Sequence, residues 1–123
     1  MKNPLERIAN HFVYYLTKKY NGGFHVQRVA SWIGFIVLGL AKVRGVRMNL
    51  RRSRQLEFSY KNRKFKVKFN HAVSKRGGID VVEILPGRGE PEGNKVLEIK
   101  TLSDAENAYH SLEFHLKNFL KAN

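Results

Sequence analysis

Leu56-Glu57-Phe58-Ser59-Tyr60-Lys61-Asn62-Arg63-Lys64-Phe65-Lys66-Val67-Lys68-Phe69 is where the chain changes its period to two. Leu56, Phe58 and Tyr60 alternate with polar partners, and beyond Lys61-Asn62 the residues Phe65, Val67 and Phe69 alternate with Lys64, Lys66 and Lys68. Successive side chains of a strand point to opposite faces, so the stretch predicts a hairpin with one aromatic and aliphatic face and one lysine face. Lysines at i, i+2 and i+4 stand ~6.5–7 Å apart, a comb close in pitch to the phosphates of an extended nucleic-acid backbone. Lysines on a strand also block edge pairing, and both uses stand at this point.

A second hairpin follows. Gly77-Gly78 leads into Ile79-Asp80-Val81-Val82-Glu83-Ile84-Leu85, a Pro- and Gly-rich loop spans Pro86 to Asn94, and Lys95-Val96-Leu97-Glu98-Ile99-Lys100-Thr101 returns. Val81, Leu85, Leu97 and Ile99 would share one face and Val82, Ile84 and Val96 the other, the pattern of strands covered on both sides. Ser103-Asp104-Ala105-Glu106 then reads as a helix cap, with Ala105, Ala108, Tyr109, Leu112, Leu116, Phe119 and Leu120 as an apolar stripe running to about Lys121.

Working back from the first hairpin, Lys42 to Arg54 holds Lys42, Arg44, Arg47, Arg51, Arg52 and Arg54, too basic to bury and without a clean period, and is expected to be a connecting arm. Val29 to Ala41 carries no charge. A helix of that length rises only ~20 Å against a ~30 Å hydrocarbon core, so the expectation is a buried helix with Trp32 in the core. Gly34 and Gly39 weaken that helix and leave a strand over Phe35-Ile36-Val37-Leu38 as the alternative. Asn3-Pro4-Leu5-Glu6 starts a first helix whose apolar positions are Leu5, Ile8, Ala9, Phe12, Leu16 and Tyr20, stopped by Asn21-Gly22-Gly23. The expected fold is a single α+β domain over residues 1–123. N-terminal helices and a basic arm fill 1–54; a four-stranded, mainly antiparallel sheet of two hairpins and a C-terminal helix fill 55–123.

Composition narrows the function. The 123 residues include 23 Lys+Arg against 10 Asp+Glu, a net charge of +13 with a pI near 10.3, which points to a polyanionic partner. The charge is segregated: residues 1–41 carry +4, residues 42–76 carry +12 and residues 77–123 carry −3. There is no cysteine, which excludes disulfides, thiolate metal sites and cysteine nucleophiles. His11, His25, His71, His110 and His115 lack metal-ligand spacing. The N-terminus has no apolar signal segment, so the expected location is cytoplasmic, with no membrane partner.

Asp80, Glu98 and Lys100 carry the chemistry. Glu98 and Lys100 are two apart and share a face, and a hairpin centred near residue 90 would put Asp80 opposite Lys100 and diagonal to Glu98. Charges in apolar surroundings must pair or hold an ion, and two close carboxylates can share a hard cation such as Mg²⁺ or Mn²⁺. The alternative is a cross-strand salt bridge between Asp80 and Lys100, with Glu98 solvated at the rim.

Gly77-Gly78-Ile79-Asp80, a strand, a loop and then Leu97-Glu98-Ile99-Lys100 resemble the PD-(D/E)XK nuclease superfamily, in particular its Mrr-type restriction endonucleases and, more loosely, archaeal Holliday junction resolvases. The resemblance covers roughly residues 55–121, with Ile79 in place of the motif's proline. It implies a metal-dependent DNA endonuclease with a restriction-endonuclease-like core, in which Asp80 and Glu98 hold Mg²⁺ or Mn²⁺ and Lys100 assists the attack. It also implies, through the first helix, a further acidic residue at Glu6. The superfamily's sheet usually gains a strand after the helix that follows Glu-x-Lys; here the 29–41 region or the second subunit of a homodimer is expected to supply it. Nucleic-acid contacts are expected at Arg47, Arg51, Arg52, Arg54, Lys64, Lys66, Lys68, Lys75 and Arg76. Two other readings use the same basic surface: a nucleic-acid-binding protein without catalysis, and a basic inhibitor of an acidic protein.

Overall fold

The alternation of residues 56–69 is realised as a hairpin. A computed structural model of the chain describes residues 32–49, 56–70 and 78–123. Two strands, β2 (Leu56–Tyr60) and β3 (Arg63–Asn70), pair antiparallel with Tyr60 opposite Arg63. The two residues between them, Lys61 and Asn62, have φ of 50° and 66°. Two consecutive left-handed residues match the right-handed twist of the flanking strands, and asparagine tolerates that conformation better than most. Leu56, Phe58, Tyr60, Phe65 and Val67 are buried, as the pattern requires.

The sheet has five strands, not four. β1 (Arg47–Asn49) lies within the segment expected to be a connecting arm and pairs with β2, Met48 opposite Phe58. Arg51, Arg52 and Arg54 lie outside the described residues. β4 (Gly78–Ile84) and β5 (Glu92–Ile99) complete an antiparallel meander in the order β1-β2-β3-β4-β5. β4 is an interior strand and buried along its whole length. β5 was expected to be covered on both faces but is an edge strand and largely exposed. The connection between β4 and β5 is also shorter than the expected Pro86–Asn94 loop, because β5 begins at Glu92.

Both described helices cover one face of this sheet. α1 (Ile33–Ala41) is a helix, as expected for most of the 29–41 segment, and the alternative strand over 35–38 is excluded. It buries Ile33, Ile36, Val37 and Leu40, and Trp32 just before it is 3% exposed. α1 therefore supplies no additional strand. Gly39 explains why a glycine interrupts its apolar run: a Cβ there would stand 2.6 Å from Leu112 Cδ1 and 3.2 Å from the Tyr109 backbone. The missing side chain is what lets α1 seat on α2 (Leu102–Ala122).

The apolar stripe of α2 is the one read from the sequence, with Ala105, Ala108, Leu112, Leu116 and Phe119 buried. Its cap is Thr101, two residues earlier than expected. The Thr101 hydroxyl accepts from the Asp104 amide while the Asp104 carboxylate accepts from the Thr101 amide, a reciprocal capping box. Aromatic packing joins the layers: Phe58 stacks on Phe65 at 5.2 Å, and Phe65 meets Phe119 edge-on at 5.7 Å. Among the described residues no helix is long and apolar enough to cross a membrane. The expected helix over residues 3–20 lies outside the described residues.

Candidate nucleic-acid and metal site

The opposite face of the sheet gathers the charged residues. Strand parity puts Lys64, Lys66 and Lys68 of β3 there, together with Asp80, Val82 and Ile84 of β4. The register sets Lys68 against Asp80 and Lys66 against Val82. The next strand sets Glu98 directly opposite Asp80. This corrects the expected pairing of Asp80 with Lys100: the two acids face each other, and Lys100 lies just past the end of β5.

Gly78 helps to fix that register. A Cβ on it would lie 2.9 Å from the Ile99 carbonyl oxygen, so only glycine admits the close approach of β5 that sets Ile79 opposite Ile99 and Asp80 opposite Glu98. Beyond Leu97 the register shifts twice: Val82 faces Lys95 and Ile84 faces Glu92. Each shift inserts an extra residue into β5 and turns the following side chains over. Lys95 and Glu98, three apart, would lie on opposite faces of a regular strand. The irregularity brings both to Asp80.

The geometry is tight. Lys95 Nζ lies 2.6 Å from Glu98 Oε1 and 3.6 Å from Asp80 Oδ2. The two carboxylates are thus no farther apart than these distances laid end to end. Lys100 Nζ reaches Glu98 Oε2 at 3.3 Å. The Lys100 backbone amide also donates to Asp104 Oδ2 at 2.9 Å, so the capping box of α2 anchors the main chain beside the acids. Asp80 is 2% exposed, whereas Glu98 and Lys95 reach solvent. Hydrogen bonds from Lys95, then from Lys100, hold the Glu98 carboxyl below the usual glutamate range. The Lys95 ammonium is held above its ordinary value, first by the hydrogen bond to Glu98 and also by the charge of Asp80.

Beside this cluster the lysine comb is present but not bare. Lys66 Nζ contacts Glu92 Oε1 at 2.9 Å, and Lys68 Nζ contacts the two Glu92 oxygens at 3.0 and 3.1 Å. Those hydrogen bonds, Lys66 first, hold the Glu92 carboxyl below its usual range. Lys64 is exposed, and Arg47 is exposed on β1. Glu6, Arg51, Arg52, Arg54, Lys75 and Arg76 lie outside the described residues. Sequence periodicity passed over Lys95 and Glu92, and the Pro- and Gly-rich run before them carries the only hint that the strand is irregular.

The donor set suits a hard divalent cation. Asp80 and Glu98 offer carboxylate oxygens side by side, one buried and one solvent-accessible. Mg²⁺ is commonly held by one or two carboxylates with waters and substrate phosphate completing its shell. Among the described residues no group of three or more His, Cys, Asp or Glu side chains gathers, so a metal here would be held by this pair. Comparison of the chain with protein-family models, with curated proteins and with solved structures finds no match.

Proposed function

We propose that this protein is a metal-dependent nuclease, acting on DNA, whose reactive site is the Asp80, Glu98 and Lys100 cluster. The observation that carries this reading is the direct cross-strand pairing of a buried aspartate with a solvent-accessible glutamate, beside a lysine comb on the same face. Two facing carboxylates repel unless a cation lies between them. Asp80 supplies a rigid ligand because an interior strand fixes it, and Glu98 supplies one that solvent and substrate can reach. A divalent cation held there would polarise the phosphoryl group and favour ionisation of the attacking water. Lys100, close to Glu98 and anchored through its amide, is placed to offset the negative charge that builds on the phosphoryl oxygens. The comb and the +13 net charge bring the polyanion to this face.

A plasmid-nicking assay with Mg²⁺ or Mn²⁺ tests this. Asp80→Asn, Glu98→Gln and Lys100→Ala are each expected to lower the cleavage rate by roughly 100- to 1000-fold, the size of a lost electrostatic contribution, while DNA binding persists. A homogeneous protein that binds DNA but cleaves no duplex, branched or single-stranded substrate with either metal overturns the enzymatic reading.

One observation favours a second reading. Lys95, on both carboxylates, and Lys100, on Glu98, already balance the two acids, and a cluster balanced by the chain's own lysines has a structural use in a protein that binds DNA without cutting it. In that case the same three substitutions change stability and leave nothing to measure in the nicking assay.

A further inference from the structure

Glu92 joins two lysines of the comb from another strand. Its carboxylate accepts from two consecutive teeth of the lysine comb, Lys66 at 2.9 Å and Lys68 at 3.0 and 3.1 Å. A carboxylate so held copies the charge and the acceptor geometry of a phosphodiester's non-bridging oxygens, which lysine binds as a point charge. The two lysines come from β3 and the acid from β5, so their side chains meet across β4 on the face that holds Asp80. Lys68 is the cross-strand neighbour of Asp80, which puts one of the two lysines on the strand pair and the sheet face that carry the acid pair.

The contact is also open to solvent. Glu92 opens β5 directly after the turn that contains Gly87, Gly89 and Pro91, and its side chain is 41% exposed. Lys68 is 34% exposed and Lys66 13%, so solvent reaches the seat from the side of Glu92 and Lys68.

We propose that Lys66 and Lys68 form a seat for one DNA backbone phosphate on the sheet face that holds Asp80, and that the Glu92 carboxylate fills this seat until the phosphate displaces it. Glu92 is then an internal competitor, which offsets one of the comb's positive charges in the free protein and sets how tightly DNA binds. The inference rests on the reading of this face as a DNA-binding surface, yet its readout is binding and does not require cleavage.

The test is fluorescence anisotropy of a labelled duplex DNA across a salt series, with wild type, Glu92→Gln, Glu90→Gln and the triple variant Lys66→Gln/Lys68→Gln/Glu92→Gln. Glu90 belongs to the same turn, takes part in none of the described ion pairs and controls for net charge. Glu92→Gln is expected to bind roughly ten-fold more tightly, with a log–log salt dependence steeper by about one to two, because freed lysines release additional counterions. Glu90→Gln is expected to gain far less, and the triple variant is expected to lose the gain. Equal gains in the Glu90 and Glu92 variants, a gain that survives in the triple variant, or no gain from Glu92→Gln in a folded protein each overturn the seat. If wild type and Glu92→Gln alike fail to bind DNA at low salt, the broader reading of this face falls as well. Tightening by Glu92→Gln in a protein that never cleaves leaves the seat standing and removes only the nuclease.

Discussion

Lys95 places one ammonium on two carboxylates, 2.6 Å from Glu98 and 3.6 Å from Asp80, and that is the position a shared cation would have to contest. The side chain is 45% exposed and long, so it can swing into water without disturbing the sheet. Its removal therefore has two opposite expected effects. Without metal, Lys95→Met leaves Asp80 and Glu98 facing each other with one fewer positive charge nearby, and the melting temperature falls. With metal, the competitor is gone, and Mn²⁺ affinity measured by calorimetry rises roughly ten-fold, with the lost thermal stability restored as the ion binds. Unchanged Mn²⁺ affinity in a folded Lys95→Met protein would remove the case for a cation between these acids.

Among the elements, α1 and β5 show how far periodicity reaches. The apolar run before Lys42 does not by itself separate a helix from a strand, and the deciding feature is tertiary: Gly39 faces Leu112 and Tyr109 at a distance that no side chain permits. Gly39→Ala is accordingly expected to destabilise the protein by about 1–3 kcal/mol in urea unfolding, as overpacking does, even though alanine favours a helix by ~1 kcal/mol. A neutral or stabilising Gly39→Ala would mean that the two helices do not pack at this point. The β2–β3 hairpin was legible because strict alternation and one buried face fix its register. β1 was not, since three residues are too few to show a period and the basic residues around it, Lys42 and Arg44 before and Arg51, Arg52 and Arg54 after, masked it as an arm. On β5 the parity of Glu98 with Asp80 was legible, whereas Lys95 and Glu92 were not, because the two register shifts reverse the side chains between them.

For the molecule as a whole, the basic middle and the acidic end of the sequence meet on one sheet face, where lysines of β3 lie beside acids of β4 and β5. The helix-covered face is apolar, and among the described residues its one buried ionic contact lies at the rim, where three elements meet. Arg63 of β3 makes a two-point contact with Glu83 of β4, its second nitrogen 2.7 Å from Oε1, and the same nitrogen donates to the Asn123 carbonyl at 3.2 Å. The guanidinium also lies over Phe119, 5.3 Å from the ring centre. Hydrogen bonding to Glu83 holds the Arg63 pKa above its already high value, so the guanidinium stays charged. This contact clasps the end of α2 to the middle of the sheet. Arg63→Ala strands Glu83, which is 6% exposed, and is expected to cost about 3 kcal/mol in chemical denaturation. Glu83→Gln keeps an acceptor for a guanidinium that is itself 28% exposed to water, so roughly 1 kcal/mol is expected. Because the clasp lies on the face away from Asp80, neither substitution should alter DNA affinity in the folded protein. Equal costs for the two variants would show that Glu83 draws its compensation from water and that α2 is held by its apolar stripe alone.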